Sequence, residues 1–182
     1  MGEPRLKKGL VHIITGKGRG KTTSAIGLGL RAVGHGLKVY MIQFMKNGEL
    51  EGKEYGEIRS LKCIKNFRIV QFGSGRLVSH STPEEIDIEM ARKGLEHARS
   101  VIMSDEYDLV ILDEIWATVH HRLIELSEII DLIKNKPKDV ELALTGRYAP
   151  EEAYEYADYV SEIMKIKHPY SKGQKARLGI EF

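Results

Sequence analysis

Short apolar stretches alternate along this chain with segments in which apolar residues recur at every third or fourth position. Stretches such as VYMIQF and LVILD are apolar at successive positions, which is typical of strands buried on both faces of a parallel sheet. The alternation predicts an α/β fold, with a mostly parallel sheet of about six strands between layers of helices. The predicted strands are Leu10–Thr15, Leu37–Phe44, Phe67–Phe72, Leu109–Asp113, Val140–Thr145 and Tyr159–Ile166.

The segments between these strands carry helix signals. Thr82-Pro83-Glu84-Glu85 has the order of a helix start, with Thr as the cap, Pro at the first helical position and Glu three residues after the cap. Met45–Tyr55 and Gly73–Ser81 resist assignment, and both follow a predicted strand, where open α/β sheets carry their binding loops. The predicted helices are Thr22–Val33, a helix from Thr82 to about Ser104, Leu123–Lys134 and a short one after Pro150.

Length and composition narrow the class of protein. The chain has 182 residues, of which 42% are apolar and 30% charged, and this predicts one globular domain over residues 1–182. A formal net charge of +2 is too small to favour nucleic acid or an anionic membrane as a partner. The sequence has no apolar run long enough to span a bilayer, and residues 1–8 lack a signal-peptide core. Cys63 is the only cysteine, so we expect a buried structural thiol, no intrachain disulfide and a cytoplasmic location.

One segment has the pattern of a phosphate-binding loop. Thr15–Thr23 (TGKGRGKTT) joins a predicted strand to a predicted helix, and its glycines let successive N–H groups curl around phosphate oxygens. Lys21 is expected to reach the β- and γ-phosphates, and the Thr22 hydroxyl to bind Mg²⁺. The usual motif has glycine where this chain has Thr15, although Gly16 lies next to it. The alternative is a glycine-rich turn with incidental lysines, but GKTT in this context favours binding of a nucleoside triphosphate.

A pair of carboxylates ends one predicted strand. Asp113 and Glu114 follow the apolar run LVIL, and a carboxylate at that position can complete the shell of a Mg²⁺ ion bound with a nucleotide. Taken alone, an Asp-Glu pair after a strand is usually a helix cap. The accompanying phosphate loop favours the metal site.

Several segments together resemble the P-loop ATP:corrinoid adenosyltransferases, also called cob(I)alamin adenosyltransferases. The opening KGLVHIITGKGRGKTTSAIGLGLRAVGHGLKV is similar to the opening of that family, including the family's own form of the phosphate loop. The similarity runs in order from about Lys8 to Phe182. The other matching segments are QF with Lys46, YDLVILDEI, TGR at Thr145–Arg147, AD at Ala157-Asp158 and the closing KHPYSKGQKARLGIEF. Several motifs in one order are far more specific than a phosphate loop alone.

This resemblance implies a P-loop NTPase-like (RecA-like) fold and a reaction at the ribose of ATP. The Co(I) of a corrinoid attacks the 5′ carbon and the whole triphosphate leaves, so the protein need supply neither a nucleophile nor a base. Its tasks are to position the reactants and to stabilise charge on the leaving group, in which Lys21 would take part. The resemblance also implies a homodimer and an electron donor that makes Co(I).

The resemblance assigns roles to individual residues as well. Thr22 with Glu114 would hold the metal, Mg²⁺ or Mn²⁺, and Asp113 would lie beside them. Arg31 is either a nucleotide contact or a solvated side chain as far as the residues alone show, and the resemblance implies the nucleotide contact. The implied nucleotide-binding residues are Gly16, Lys17, Gly18, Arg19, Gly20, Lys21, Thr22, Thr23 and Arg31.

The chain departs from the family pattern in one loop. After the third strand the family has G-x-G-F-T-W, with aromatics that help the corrinoid lose its lower axial ligand, whereas this chain has GSGRLV at residues 73–78. Asn47 also stands where a glycine is usual. Three explanations stay open: other residues remove the ligand, the corrinoid lacks one, or the activity is altered. The residues expected to face the corrinoid are Gln43, Gly73, Gly75, Arg76 and Val78.

Two other functions are weighed against adenosyl transfer. The first is a phosphate-cleaving enzyme, an ATPase or a small-molecule kinase, and Glu114 directly after Asp113 is what a water-activating ATPase would carry. The substituted loop with Arg76 and Val78 fits a nucleotide-gated carrier that binds a corrinoid without transfer. The products separate these functions, because released triphosphate indicates adenosyl transfer, whereas orthophosphate or ADP indicates cleavage between phosphates.

Overall fold

The computed structural model describes residues 5–50, 52–75 and 83–181. Eight strands lie in these ranges: β1 (Val11–Thr15), β2 (Val39–Phe44), β3 (Glu49–Leu50), β4 (Lys53–Glu54), β5 (Phe67–Phe72), β6 (Leu109–Asp113), β7 (Glu141–Thr145) and β8 (Tyr159–Glu162). Six of them form one sheet in the order β5-β2-β6-β7-β1-β8, and all neighbouring pairs in it are parallel. The short strands β3 and β4 form a separate antiparallel pair.

Helices cover both faces of the sheet. They are α1 (Lys21–Gly34), α2 (Gly56–Leu61), α3 (Glu85–Met103), α4 (Ile115–His120) and α5 (Leu126–Asn135), with two 3₁₀ helices at Glu151–Tyr156 and Pro169–Lys172. Within the described ranges, every helix is too short or too polar to cross a membrane.

All six predicted strands are present. Two of them, β5 and β6, have the predicted bounds, and β1, β2 and β7 begin one or two residues later than predicted. The last strand ends at Glu162, four residues before the predicted end. Its partner β1 stops at Thr15, which pairs with Glu162, so the ladder has no further residue to bind. Beyond this point the chain packs against the loop that follows β1.

Apolar side chains fill both faces of the sheet. On one face, Ile42 and Leu112 belong to a core that includes residues of α3, α4 and α5. On the other face, Met41 and Ile111 pack with residues of α1 and α2. Adjacent positions of β2 and β6 therefore enter opposite cores, because side chains alternate across a strand. Helices on both faces explain the continuous apolar runs, and the predicted three-layer α/β fold is confirmed.

Two helices begin later than predicted. The cap of α3 is Glu84, which forms a capping box with Asp87, while the predicted cap Thr82 lies outside the described residues. The predicted start of α5, Leu123, is a buried residue in the turn before the helix. Its buried side chain continues the apolar pattern of the helix into that turn. The pattern at Leu123 therefore reflects burial and not helical conformation.

Cys63 is exposed, so the expectation of a buried thiol is wrong. It lies just after α2, a helix that the sequence pattern did not predict. Leu61, the last residue of that helix, is 2% exposed and takes the core position. The Sγ of Cys63 lies 3.6 Å from the carbonyl oxygen of Arg59, one helical turn back.

The parallel arrangement brings the ends of the central strands together. In the register of the sheet, Gln43 pairs with Asp113, and Leu112 pairs with Leu144. Ile14 pairs with Thr145. The loops after β1, β2, β6 and β7 therefore leave the sheet together at the carboxyl ends of its strands, where open α/β sheets bind their ligands.

Candidate active site

The phosphate loop is shaped by glycines between β1 and α1. Gly16 has φ 101° and Gly20 has φ 117°, in the left-handed region that only glycine adopts without strain. Gly20 caps α1, so the helix N-terminus opens onto the loop. A Cβ on Gly16 would lie 2.4 Å from the carbonyl oxygen of Ile163, just beyond β8. Both the turn and the close approach of a second segment require glycine here.

Lys21 lies at the start of α1 and folds back over the loop. Its Nζ donates to the carbonyl oxygens of Gly16 at 2.9 Å and Gly18 at 2.8 Å. The side chain is buried, and burial lowers the pKa of Lys21 from its ordinary value. Phosphate oxygens would offer this ammonium group charge-assisted hydrogen bonds, which are stronger than those to neutral carbonyls.

Asp113 is fully buried at the end of β6, and its carboxylate accepts four hydrogen bonds. Its Oδ1 accepts from the hydroxyls of Thr22 at 2.9 Å and Thr145 at 2.6 Å. Its Oδ2 accepts from the Gln43 amide at 2.9 Å and the Lys46 ammonium at 3.1 Å. Burial opposes ionisation, but the charge of Lys46 and these hydrogen bonds together hold the pKa of Asp113 below its usual value. Asp113 is therefore an ionised anchor that orients Thr22.

Glu114 has a different environment from its neighbour. It leaves the strand in the left-handed conformation, with φ 62°, and its N–H donates to the Thr145 hydroxyl oxygen at 3.1 Å. Its side chain lines a cavity over the phosphate loop. Burial and the negative charge of Asp113 raise the pKa of Glu114 above that of an ordinary glutamate. A cation bound beside Glu114 would favour its ionised form.

Lys46 brings a second ammonium group to the site. Its Nζ lies 3.1 Å from Oδ2 of Asp113 and 3.9 Å from Oε1 of Glu57. It also lies 5.4 Å from the ring centroid of Tyr55. Burial would lower the pKa of Lys46, but the charge of Asp113 outweighs burial and raises it. Lys46 is therefore charged inside the site.

The cavity over the phosphate loop has a volume of about 680 Å³. Residues 18–23 of the loop and α1 line it together with Lys46, the segment Tyr55–Glu57 and Arg147. The volume lies within the range of roughly 300–1,000 Å³ that is usual for small-molecule sites. The cavity can therefore hold a nucleotide against the phosphate loop.

The C-terminal segment closes part of this cavity. The Arg19 guanidinium donates to the carbonyl oxygen of Ile180 and lies 3.4 Å from Oε1 of Glu181. Hydrogen bonds from Arg177 lower the pKa of Glu181 to about 2. The tail thus reaches the phosphate loop.

The donor set fits Mg²⁺ or Mn²⁺. The available ligands are oxygens, the Thr22 hydroxyl and the Glu114 carboxylate, and hard cations prefer such ligands. Both oxygens of Asp113 already accept hydrogen bonds, so Asp113 fits beside the metal shell rather than within it. Among the described residues, no cluster of three or more His, Cys, Asp or Glu side chains forms a complete metal site. Phosphate oxygens and water would complete the shell.

Three of the expected nucleotide contacts are not in the lining of this cavity: Gly16, whose carbonyl oxygen accepts from Lys21, and two exposed basic residues. Lys17 is exposed and lines a neighbouring cavity instead. Arg31 is exposed in the last turn of α1, about 15 Å along the helix axis from Lys21 at the helical rise per residue. Their contacts with a nucleotide stay predictions.

The residues expected to face a corrinoid are spread over different positions. Gln43 is fully buried and donates to Asp113, so in this structure it supports the carboxylate. Gly73 packs against the backbone of the β2 loop, and Gly75 has φ 79° next to the Asn47 side chain. Two of the residues lie outside the described ranges: Arg76 and Val78. The corrinoid contacts of this set stay predictions.

No site role was predicted for four residues of the cavity or its support, although all four lie in segments that resemble the family: Lys46, Thr145, Arg147 and Glu181. Lys46 lies just after β2, and Thr145 with Arg147 lies at the end of β7. Their position after predicted strands is a signal that could have found them, because those strand ends meet at one edge. Glu181 has no such signal, since it is far from Arg19 in sequence.

A glycine-shaped loop, a buried lysine at a helix N-terminus and a strand-end Asp-Glu pair define a P-loop nucleotide-binding protein. Residues 7–182 match the family described as ATP:corrinoid adenosyltransferase BtuR/CobO/CobP. The chain belongs to this family, whose members are enzymes that transfer the adenosyl group of ATP to a corrinoid.

Curated proteins give the same result. The chain is 34% identical to a corrinoid adenosyltransferase of Sinorhizobium sp, over 97% of this chain and 81% of that protein. It is 32% identical to the corrinoid adenosyltransferase of Escherichia coli K12, over 97% and 87% of the two chains. Corrinoid adenosyltransferase CobA of Salmonella typhimurium is 30% identical over the same shares.

Proposed function

We propose that this chain transfers the 5′-deoxyadenosyl group of ATP to the Co(I) centre of a corrinoid and releases triphosphate. One observation carries the proposal. A single cavity joins the phosphate loop, Lys46 and Glu114 in a chain whose sequence matches the adenosyltransferase family from residue 7 to residue 182.

The site has the groups that this reaction needs. An electron pair of Co(I) forms the bond to C5′ while the C5′–O bond breaks, and the triphosphate leaves with the bonding pair. Proton transfer is not part of this step, so the protein's task is to stabilise charge on the leaving group. Lys21 and the loop N–H groups would hold the phosphates, and Arg19 lies at the rim of the same loop. A Mg²⁺ or Mn²⁺ ion held by Thr22 and Glu114 would neutralise further charge.

The corrinoid would enter from the side of the 73–78 loop. We keep Gly73, Gly75, Arg76 and Val78 as its expected contacts, and Gln43, which is fully buried against Asp113, would have to become exposed to join them. The absence of the family's two aromatics from this loop leaves the three explanations open, namely other residues acting on the axial ligand, a corrinoid without that ligand, or altered activity.

The decisive experiment is a product assay with ATP, Mg²⁺ and a corrinoid chemically reduced to Co(I). We expect a light-sensitive adenosyl-corrinoid and one triphosphate per transfer, both lost in Lys21→Ala, with Lys167→Ala as the exposed-lysine control. Steady formation of ADP or orthophosphate without corrinoid would instead support an ATPase or kinase. Corrinoid binding with no transfer from Co(I) would support a carrier.

The remaining partners belong to the same proposal. The proposal includes an electron donor that makes Co(I) and a second copy of the chain in a homodimer. It also includes a cytoplasmic location, where ATP and such a donor are present. The exposed edge strand β8 supports the homodimer: in the described part of the chain it pairs only with β1, and all four of its residues are exposed. An unpaired edge of this kind is a ready surface for a second chain.

A further inference from the structure

A second cavity adjoins the first, and the reaction proposed above does not use it. Its volume is about 610 Å³. Arg147 and His168 line both cavities, so the two are neighbours. We call the second one the basic cavity, defined by its lining residues Lys17, Arg147, Tyr148, Lys165, His168, Tyr170 and Ser171.

The fold holds these residues together, although they come from separate segments. Beyond β8, Ile163 accepts a hydrogen bond from the Gly18 N–H at 2.7 Å and donates its own N–H to Thr15 at 2.8 Å. A Cβ on Gly18 would lie 2.6 Å from the carbonyl oxygens of Ile163 and Met164. This tight packing ties the segment after β8 to the phosphate loop. Lys165 therefore lines the same cavity as the loop residue Lys17.

The charged side chains in the described lining of this cavity are all basic, and the charge of Arg147 also acts on Glu114 in the first cavity. Lys17, Arg147 and Lys165 line it, and within the described ranges none of the three forms an ion pair or a side-chain hydrogen bond. The described lining contains no carboxylate. Cations gathered around one concave site repel one another and create a positive potential that an anion relieves.

We propose that the basic cavity binds a phosphate group. The arginine fork and the lysines match phosphate oxygens, and the Tyr170 and Ser171 hydroxyls add neutral hydrogen-bond donors. The phosphate has two possible sources, the nucleotide's own polyphosphate chain or a phosphodiester on the corrinoid acceptor. The acceptor source rests on the proposed function, whereas the polyphosphate source does not.

Calorimetric titration of the full chain tests this assignment with three probes. They are inorganic triphosphate, a corrinoid that contains a phosphodiester (cobalamin) and one that lacks it (cobinamide). Each probe is titrated into the unsubstituted chain, Lys165→Gln and Lys165→Arg. Lys167→Gln is the matched control, because Lys167 is also exposed and lies two residues away but outside the cavity lining. Thermal unfolding verifies that all variants are folded.

We expect Lys165→Gln to weaken the binding of one probe, either triphosphate or cobalamin, about threefold to tenfold. This is the range for a partly exposed charge pair. Lys165→Arg should retain the affinity and Lys167→Gln should leave it unchanged. Selective weakening of triphosphate identifies the nucleotide source, and selective weakening of cobalamin but not cobinamide identifies the acceptor.

Equal affinities of Lys165→Gln and Lys167→Gln for every probe would overturn the assignment, and so would equal weakening of all three probes. These readouts need no adenosyl transfer. If triphosphate binding responds to Lys165→Gln while no adenosyl-corrinoid forms, only the proposed function fails.

Discussion

The adjacent carboxylates Asp113 and Glu114 have different roles because their side chains lie in different environments. The residues alone placed Asp113 and Glu114 together at a metal site, and the family resemblance implied that Glu114 holds the metal with Asp113 beside it. In the structure Asp113 is fully buried with four donors on its carboxylate. Glu114 turns out of the strand with φ 62° and lines the cavity. One residue therefore anchors the phosphate loop, and its neighbour is free to bind a cation.

Thr145 tests this division of roles. Thr145→Val removes the donor to Asp113 and the acceptor of the Glu114 N–H, leaving buried polar atoms without partners. We expect a loss of about 1–3 kcal/mol in the free energy of unfolding, together with weaker ATP binding. Urea denaturation and calorimetry measure the two effects.

The matched control is Thr118→Val. Thr118 is equally buried, but its hydroxyl donates only to the Glu114 carbonyl, which also accepts the Thr118 N–H. It should reduce stability without changing ATP affinity. Identical ATP affinities in the two variants would contradict the assigned role of Thr145.

Glu141 gives a pH-dependent prediction away from the site. Its carboxylate lies 2.5 Å from Nε2 of His12 and accepts the Leu10 N–H at 2.6 Å. Burial alone would raise the pKa of Glu141, but these hydrogen bonds and the charge of Lys136 lower it. The folded pKa is thus below the unfolded one, so the stabilisation is full above the unfolded glutamate pKa of about 4.3 and is lost as pH falls through the folded pKa.

We therefore expect Glu141→Gln to lower the free energy of unfolding by about 1–2 kcal/mol at pH 7. The difference from the unsubstituted chain should shrink as the pH falls below about 4. Urea denaturation at several pH values measures it, with the exposed Glu89→Gln, partner of Lys93, as a control that changes little. A difference that is constant down to pH 3 would disprove this account.

At the scale of elements, strands were easier to predict than helix starts. A strand covered on both faces is a continuous apolar run, so its bounds appear directly in the sequence. A helix start depends on which residue caps it, and α3 uses the carboxylate of Glu84 instead of a threonine hydroxyl. The residues just before α5 are buried and apolar, so they fit the apolar spacing of the helix. For this reason the predicted helix started at Leu123, before the observed start.

Two glycines in α1 test helix packing within one element. A Cβ on Gly27 would meet no other atom within 4 Å, whereas a Cβ on Gly29 would lie 2.4 Å from a ring carbon of Phe67. Gly27→Ala should stabilise the protein by about 0.5–1 kcal/mol through helix propensity. Gly29→Ala gains the same propensity but should be destabilising by about 1–3 kcal/mol, because Phe67 is buried and must move. Thermal unfolding measures both, and stabilisation by Gly29→Ala would refute the packing.

At the scale of the molecule, the two edges of the sheet differ. In the edge strand β5, one residue is buried, four are partly buried and one is exposed, while all four residues of β8 are exposed. Exposed apolar side chains continue past β8 at Met164 and Ile166. Such an edge is usually covered by a partner in the assembled protein. The expectations of one domain over residues 1–182 and of a homodimer both stay predictions.

Val160→Asp tests the homodimer at this edge. Val160 lies in β8 and is 43% exposed. We expect light scattering to give twice the chain mass of 20.6 kDa for the unsubstituted protein, and a shift toward the single-chain mass for the variant. Met103→Asp, at an exposed apolar position on α3, is the control that keeps the dimer. A monomeric unsubstituted chain would rule out the homodimer.

The sequence by itself determined the layers of the fold, the phosphate loop and the presence of the Asp-Glu pair. These features are local, because apolar periodicity, glycines in a turn and a carboxylate after a strand lie within a few residues of each other. The family resemblance extended them to the reaction, and comparison with known proteins confirmed the family.

Tertiary structure alone showed that Asp113 is held by four hydrogen bonds, that Lys46 and Thr145 supply two of them, and that the tail reaches Arg19. It also placed Lys165 in the lining of the same cavity as Lys17. Each of these contacts joins segments far apart in the chain, such as Thr22 with Asp113. Their partners are chosen by strand order and register, and no local pattern of residues encodes that choice.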